Sequence, residues 1–223
     1  MANLFSGEID LSNEKNLDLS EIPNEELPND LKDLDRLSED HYQHMLQLEE
    51  DMGQSDNLGQ WREIETDLSM LENLKATNPN YPLGREWKIN CQHCVPTYEM
   101  RQRGFDVTAK PLMYDLDYLA IEPFDAWKNP EVYTTKDDGM KDIEETMKNW
   151  GDGARAQIVV YWEYGGGGHT FIAEQRDGVT YFIDPQNGLE NVSDYFEDVK
   201  PNCTQFCRID NLQPSQWILD CCE

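Results

Sequence analysis

The chain predicts an α+β domain, and three observations carry that expectation. Helical patterns mark residues 95–103 and 140–150, and β-branched and aromatic runs follow between residues 156 and 184. The aromatic residues gather in the same part of the chain: Trp87, Trp127, Trp150, Trp162 and Trp217 lie beyond residue 80, leaving only Trp61 before it. Aromatic side chains bury the most area per residue, so the core belongs to the second part. A domain of ~140 residues buries roughly two thirds of its unfolded surface and can stand without staples.

Residues 1–76 read as an acidic leader, partly helical or disordered. Residues 9–29 are punctuated by Pro23 and Pro28 and hold too few apolar side chains to offset chain entropy. Leu31, Leu34, Leu37, His41, Met45 and Leu48 then recur at helical spacing. A second short helix is expected over residues 61–74, with Ile64, Leu68, Leu71 and Leu74 on one stripe. Such an arm fits packing on the main domain or on a protein partner better than mimicry of a nucleic acid, since charge runs are usually solvated faces. Residues 77–84, Thr-Asn-Pro-Asn-Tyr-Pro-Leu-Gly, are turn formers and mark the boundary of a domain spanning 77–223.

Within that domain, residues 95–103 read as a helix stopped by Gly104. Residues 105–109 alternate as a short strand. Met140, Ile143, Met147 and Trp150 form a helical stripe, and residues 156–164 are a nearly continuous apolar run, hence a buried strand. Residues 170–174 and 179–184 are two more strands, joined across Arg176-Asp177-Gly178 as a hairpin.

Charge excludes several functions. With 18 Lys+Arg against 45 Asp+Glu, the chain carries −27 at pH 7. The excess is spread along it, −15 up to residue 80 and −12 after. Binding of nucleic acid through a basic face is excluded, and so is binding to an anionic membrane surface. No run approaches the ~18 apolar residues of a membrane span. Glu8 and Asp10 stand where a signal peptide would be basic and then apolar. The expectation is a protein cytoplasmic as synthesised, which reaches a virion or a target cell only by another route.

Reactive side chains concentrate in three places: Asn90-Cys91-Gln92-His93-Cys94, His169, and Asp184-Pro185-Gln186. A cysteine at a helix start sits where unpaired N–H groups and the helix dipole stabilise a thiolate. A histidine freed by the run Gly165–Gly168 can take the thiol proton, and an acid on the neighbouring strand can orient the imidazole. His169 and Asp184 are fifteen residues apart, which suits adjacent antiparallel strands whose hairpin brings both ends to one edge. Glu174 and Asp177 are geometrically poorer acids. Each piece alone is weak: His169 fits a loop histidine, Asp184-Pro185 a turn opener, and either cysteine a buried apolar residue. The glycine run lacks the Gly-Lys-Ser/Thr ending of a phosphate loop.

The same residues carry a family resemblance. Asn78-Pro79-Asn80-Tyr81, Asn90 through Ala109 (Asn-Cys-Gln-His-Cys-Val-Pro-Thr-Tyr-Glu-Met-Arg-Gln-Arg-Gly-Phe-Asp-Val-Thr-Ala), Trp150-Gly151-Asp152-Gly153-Ala154-Arg155-Ala156, Gly168-His169 and Asp184-Pro185-Gln186-Asn187-Gly188 occur in order over about residues 77–200. In this the chain resembles the papain-fold toxin family of the glutamine deamidase type, found in polymorphic toxins, type III effectors and phage or prophage head-associated proteins. The resemblance implies a papain-like fold, a helix packed on an antiparallel sheet, and a Cys-His-Asp triad with His169, Asp184 and a nucleophile at Cys91 or Cys94, both of which belong to the motif. It implies a protein glutamine side chain as substrate.

Two cysteines compete for the nucleophile. With Asn90 as N-cap, Cys91 is the first helical residue and Cys94 faces the core with Tyr98. Pro96 then becomes the sixth helical residue, at ~3 kcal/mol. A helix starting near Cys94 would put Pro96 in the first turn, where it is tolerated. Capping and the resemblance favour Cys91. Zinc is the rival use, through Cys91-x2-Cys94 with Cys203-x3-Cys207 or Cys221-Cys222, but the second spacing is loose and His169 would have no role. Neither a metal nor a cofactor is expected, and a Cys203–Cys222 disulfide is expected only after export.

A Cys-His-Asp site attacks an acyl carbon, and deamidation shares every step with peptide or isopeptide cleavage. The oxyanion is expected at the nucleophile's own backbone N–H plus a second donor, left open between Gln186 and Gln92. Outside enzymes, the alternative is a non-catalytic phage or prophage structural or binding module on the same scaffold.

Overall fold

The computed structural model describes residues 61–113 and 117–223. The stretches read as solvated segment (9–29) and as amphipathic helix (31–48) lie outside the described residues.

Helix α1 (Met70–Thr77) starts where local hydrogen bonding starts it. The Glu72 N–H donates to Ser69 Oγ at 3.3 Å while the Ser69 N–H donates to the Glu72 carboxylate at 2.8 Å, closing a capping box. The helix expected over 61–74 is therefore shorter and begins at Met70. Residues 61–64 are drawn into the domain by backbone pairing instead: Glu63 bridges Phe105, and the Ile64 N–H donates to the Gly104 carbonyl at 2.7 Å. Leu74 is fully buried, so the line drawn at residues 76/77 cuts a helix that packs on the domain.

Helix α2 (Cys91–Gln102) begins four residues earlier than the periodicity implied, and Pro96 sits inside it. A proline there leaves the Gln92 carbonyl without its helical partner. The Cys221 thiol reaches that carbonyl at 3.9 Å, from 129 residues further along the chain. The helix is buried on nearly every side although it carries Gln92, His93, Thr97, Glu99 and Arg101. Each of these has a partner. Glu99 is fully buried and accepts from Arg103 Nε at 2.8 Å and from Arg155 Nε and Nη2 at 2.5 and 3.0 Å. Buried charges persist only when paired in this way. Gly104, at φ +96°, ends the helix in the left-handed conformation.

After α2 the chain runs through residues 105–109 without forming the expected ladder strand. Phe105 and Ala109 make isolated bridges, to Glu63 and to Cys222. Helix α3 (Tyr118–Ile121) is capped by Asp117, whose carboxylate accepts from the Leu119 N–H at 2.9 Å. Strand β1 (Tyr133–Thr134) and helix α4 (Met140–Trp150) follow. The stripe read along α4 faces inward: Ile143 and Met147 are buried, with Met140 and Trp150 packed beside them.

Five antiparallel strands form one sheet in the order β1-β5-β2-β3-β4. These are β2 (Arg155–Tyr161), β3 (Gly168–Arg176), β4 (Val179–Ile183) and β5 (Gln205–Arg208). The last helix, α5 (Ile218–Cys221), closes against α2. Ala156, Ile158 and Val160 of β2 share a core with Phe171, Ala173, Phe182 and the inner side of α4. The alternate residues Gln157 and Ile172 are also fully buried. Covered on both faces, the strands read as continuous apolar runs. The β3–β4 hairpin turns at Asp177 (φ +49°) and Gly178 (φ +76°), both left-handed, as a two-residue turn matching strand twist requires.

Candidate active site

The site arises from unequal strand lengths. Strand β3 has nine residues and β4 five, paired from Arg176–Val179 to Ile172–Ile183. Gly168–Phe171 of β3 therefore extend beyond β4 and carry His169 at the free end. The chain leaves β4 at Asp184 and closes a tight turn, the Gly188 N–H donating to the Asp184 carbonyl at 2.9 Å. In this register Asp184 falls diagonally opposite His169, within side-chain reach.

His169 Nε2 donates to Asp184 Oδ2 at 3.0 Å. Asp184 is fully buried, and its other partners hold it in place: the Tyr195 hydroxyl donates to Oδ2 at 3.0 Å and the Gln186 N–H to Oδ1 at 2.9 Å. Three donors compensate the buried carboxylate. Because Nε2 is taken, Nδ1 of the imidazole is the nitrogen left for the thiol. Cys91, the first residue of α2, lies within hydrogen-bonding reach of the ring. Burial alone would depress the imidazole pKa, but the Asp184 carboxylate and the Cys91 sulfur outweigh it and push it up to about 10.

Cys91, His169 and Asp184 line one cavity of about 400 Å³, together with Trp162, Gln186 and Tyr195. Trp162 stacks on the imidazole with ring centroids 6.0 Å apart, and Tyr195 meets it edge-on at 5.7 Å. These two rings fix the imidazole plane and keep water from one side of it. Residue order alone does not mark either of them; Tyr195 lies in the 3₁₀ turn Ser193–Asp198, beside the buried Phe196.

Cys94 is placed differently. It is fully buried, and desolvation first, then the nearby Cys91 and Asp184, raise its thiol pKa well above the ordinary value. A thiol so placed is inert. All six cysteines are free, and among the described residues no group of His, Cys, Asp and Glu side chains is arranged to hold a metal ion.

The capping of α2 departs from expectation. Asn90 is the N-cap residue, but its side chain makes no capping bond; its Nδ2 donates to the Lys110 carbonyl at 2.9 Å. With the Gln186 amide turned so that its oxygen meets donors, that oxygen takes the N–H groups of Asn90 and Cys91 at 2.9 and 2.8 Å. In that orientation the backbone N–H expected to hold an oxyanion is already engaged.

Glu174, the alternative acid, accepts from the Tyr98 hydroxyl at 3.0 Å and from Arg176 Nε at 2.8 Å, remote from the imidazole. Among the described residues no helix is long and apolar enough to cross a membrane.

Comparison with known proteins agrees with this architecture. No curated protein matches the chain. Residues 89–189 match the family model described as papain fold toxin 1, glutamine deamidase, and those bounds enclose α2, β2, β3, β4 and the turn after Asp184. Over residues 89–189 the chain is similar to the papain-fold toxins of the glutamine deamidase type.

Proposed function

We propose that the protein is a thiol-dependent deamidase that converts the carboxamide of a glutamine side chain, in a protein substrate, to a carboxylate. The observation that supports this most directly is the shared cavity: a helix-start thiol, an imidazole beside it, and a buried carboxylate behind the imidazole. In this reading Cys91 is the nucleophile, His169 the proton carrier and Asp184 the residue that orients it.

An imidazole pKa raised to about 10 keeps His169 protonated at neutral pH, and in this reading Cys91 attacks as its thiolate. The thiolate adds to the carboxamide carbon. Collapse of the tetrahedral adduct breaks the C–N bond, and the leaving nitrogen takes the imidazolium proton and departs as ammonia. Neutral His169 then draws a proton from water as it attacks the thioester, releasing the glutamate side chain and restoring the pair. Asp184 holds the imidazole with Nδ1 toward sulfur throughout.

The test is direct. Incubation with candidate target proteins should release ammonia and raise the mass of one glutamine-containing peptide by the one dalton separating amide from acid. The Cys91→Ala protein should do neither. Cleaved backbone in place of that mass gain would make the enzyme a protease.

A further inference from the structure

Beside the cavity that holds Cys91 lies a second one, of about 600 Å³, and Trp162 lines both. We propose that this second cavity is a substrate subsite, in which Lys200 receives the carboxylate of an Asp or Glu side chain a few residues from the glutamine under attack. The inference rests on the deamidase reading above and specifies which glutamines it acts on.

Chain pairing fixes the place of Lys200. Beyond β2, Trp162 bridges Val199, and the Lys200 N–H donates to the Tyr161 carbonyl at 2.7 Å. The lysine is thereby held on the wall of the second cavity, next to the indole that stacks on His169. Arg101, Arg103, Arg155, Arg176 and Arg208 are all ion-paired, whereas among the described residues the exposed Lys200 ammonium meets no carboxylate.

The surroundings of Lys200 suit an anion. The chain carries −27, yet no Asp or Glu lines the second cavity, and the first has only Asp184, buried behind His169. Glu163 and Asp198, close by in the chain, line neither. Lys88, the lysine of the first cavity, already sits over the Tyr81 ring at 5.7 Å. Charges farther off than the Debye length, ~8 Å at physiological salt, are screened, so the acidic excess elsewhere does not cancel a local ammonium. The rim adds neutral donors: Gly166 and Gly167 line the cavity, and among the described residues their N–H groups make no hydrogen bond. Both are left-handed, at φ +68° and +93°, and a Cβ at either would meet nothing within 4 Å. Backbone shape rather than crowding calls for glycine there, and it leaves the rim bare of side chains. An extended segment rises ~3.3 Å per residue, so one that crosses the indole brings a side chain into the second cavity a few positions from the one beside Cys91.

Peptides with a chloroacetamide side chain in place of the glutamine carboxamide read docking without requiring hydrolysis. The Cys91 thiolate displaces chloride, the C–Cl bond breaking as the thioether C–S bond forms. Such peptides, with Glu, Ala or Lys at the second to fourth positions on one side or the other, are compared on the full chain. Each rate is divided by that of iodoacetamide, which needs no docking. The Glu peptide should label Cys91 about fivefold faster than the Ala peptide, the factor an exposed ion pair supplies, and the Lys peptide slowest. Lys200→Ala should level the three, Lys200→Arg should keep their order, and Lys200→Glu should reverse it. Equal rates in the wild type would overturn the proposal, and a fastest Lys peptide would overturn it in favour of basic segments. So would an order that survives Lys200→Glu, or one reversed by Lys88→Glu alone, which would move the contact into the first cavity. A wild-type Cys91 labelled by none of the peptides overturns the thiol site and this proposal with it. The expected order at Cys91, with no ammonia released from the parent glutamine peptides, overturns only the deamidase reading and still supports the subsite.

Discussion

Two histidine–aspartate pairs border α2, and they are built for different ends. His169 and Asp184 meet at 3.0 Å beside Cys91, with only one ring nitrogen taken. His93 and Asp117 also meet through Nε2, but His93 Nδ1 faces the Lys110 carbonyl at 3.0 Å, so both ring nitrogens are occupied. Two residues apart on a helix, Cys91 and His93 project to nearly opposite sides. The front pair keeps a nitrogen for a thiol; the rear pair ties the segment from Lys110 to Asp117 against the helix start. A histidine–carboxylate contact is therefore not by itself a catalytic signature. Under the proposed chemistry, the free nitrogen and the open cavity make the difference.

The widest separation should come from the cysteines. Cys91→Ala should lower turnover by about 10⁶-fold, the scale of losing the nucleophile in an acyl-transfer triad. Cys94→Ala should leave turnover within a few-fold and cost about 1–2 kcal/mol of stability for the small cavity it opens. Ammonia release and denaturant unfolding of both proteins check this, and the reverse pattern would move the nucleophile to Cys94.

Next come the acids. Asp184→Asn should preserve the fold yet lower kcat by up to ~10⁴-fold, because the amide favours the wrong imidazole tautomer. Asp117→Asn should do the opposite, keeping kcat while destabilising the domain by about 3 kcal/mol through the unpaired His93. Steady-state kinetics beside thermal unfolding distinguish the two.

The pairs should also fail at opposite ends of the pH scale. His169 has its pKa raised, so the native state holds a proton that the unfolded chain has released between pH ~6.5 and about 10. Its contribution to stability is present in full below pH ~6.5 and fades as pH rises toward 10. Burial opposes ionisation of Asp117, but His93 and the Leu119 N–H prevail and lower its pKa. That contribution is present above the ordinary carboxylate range near pH ~3.9 and is lost as pH falls below it. Unfolding free energies across pH should lose part of the alkaline limb in His169→Ala and part of the acid limb in Asp117→Asn.

The smallest effect concerns how α2 is seated. Cys221→Ala removes the thiol that reaches the Gln92 carbonyl, for about 1 kcal/mol and no change in kcat. Adding Pro96→Ala should cancel most of that loss, since the carbonyl regains a helical donor.

Some of this molecule was written in local pattern. The stripe of α4, the buried runs of β2 and β3, and the Asp177-Gly178 turn all follow from neighbouring residues, because period and turn chemistry act over a few positions. The hairpin then brings His169 near Asp184 by arithmetic alone, since a two-residue turn sets the register. Tertiary structure decided the rest. The start of α2 at Cys91 depends on Gln186, which caps it from across the fold, and on Cys221, which meets the carbonyl that Pro96 leaves free. Residues 105–109 look like a strand but find only single partners at Glu63 and Cys222, so no ladder forms. Under the proposed chemistry, the choice of His169 over His93 turns on which ring nitrogen stays unpaired, and both nitrogens of His93 are taken by Lys110 and Asp117, 17 and 24 residues away. Periodicity encodes which face of an element is apolar; it carries no information about which distant group will take a particular hydrogen bond, and at this site those bonds assign the roles.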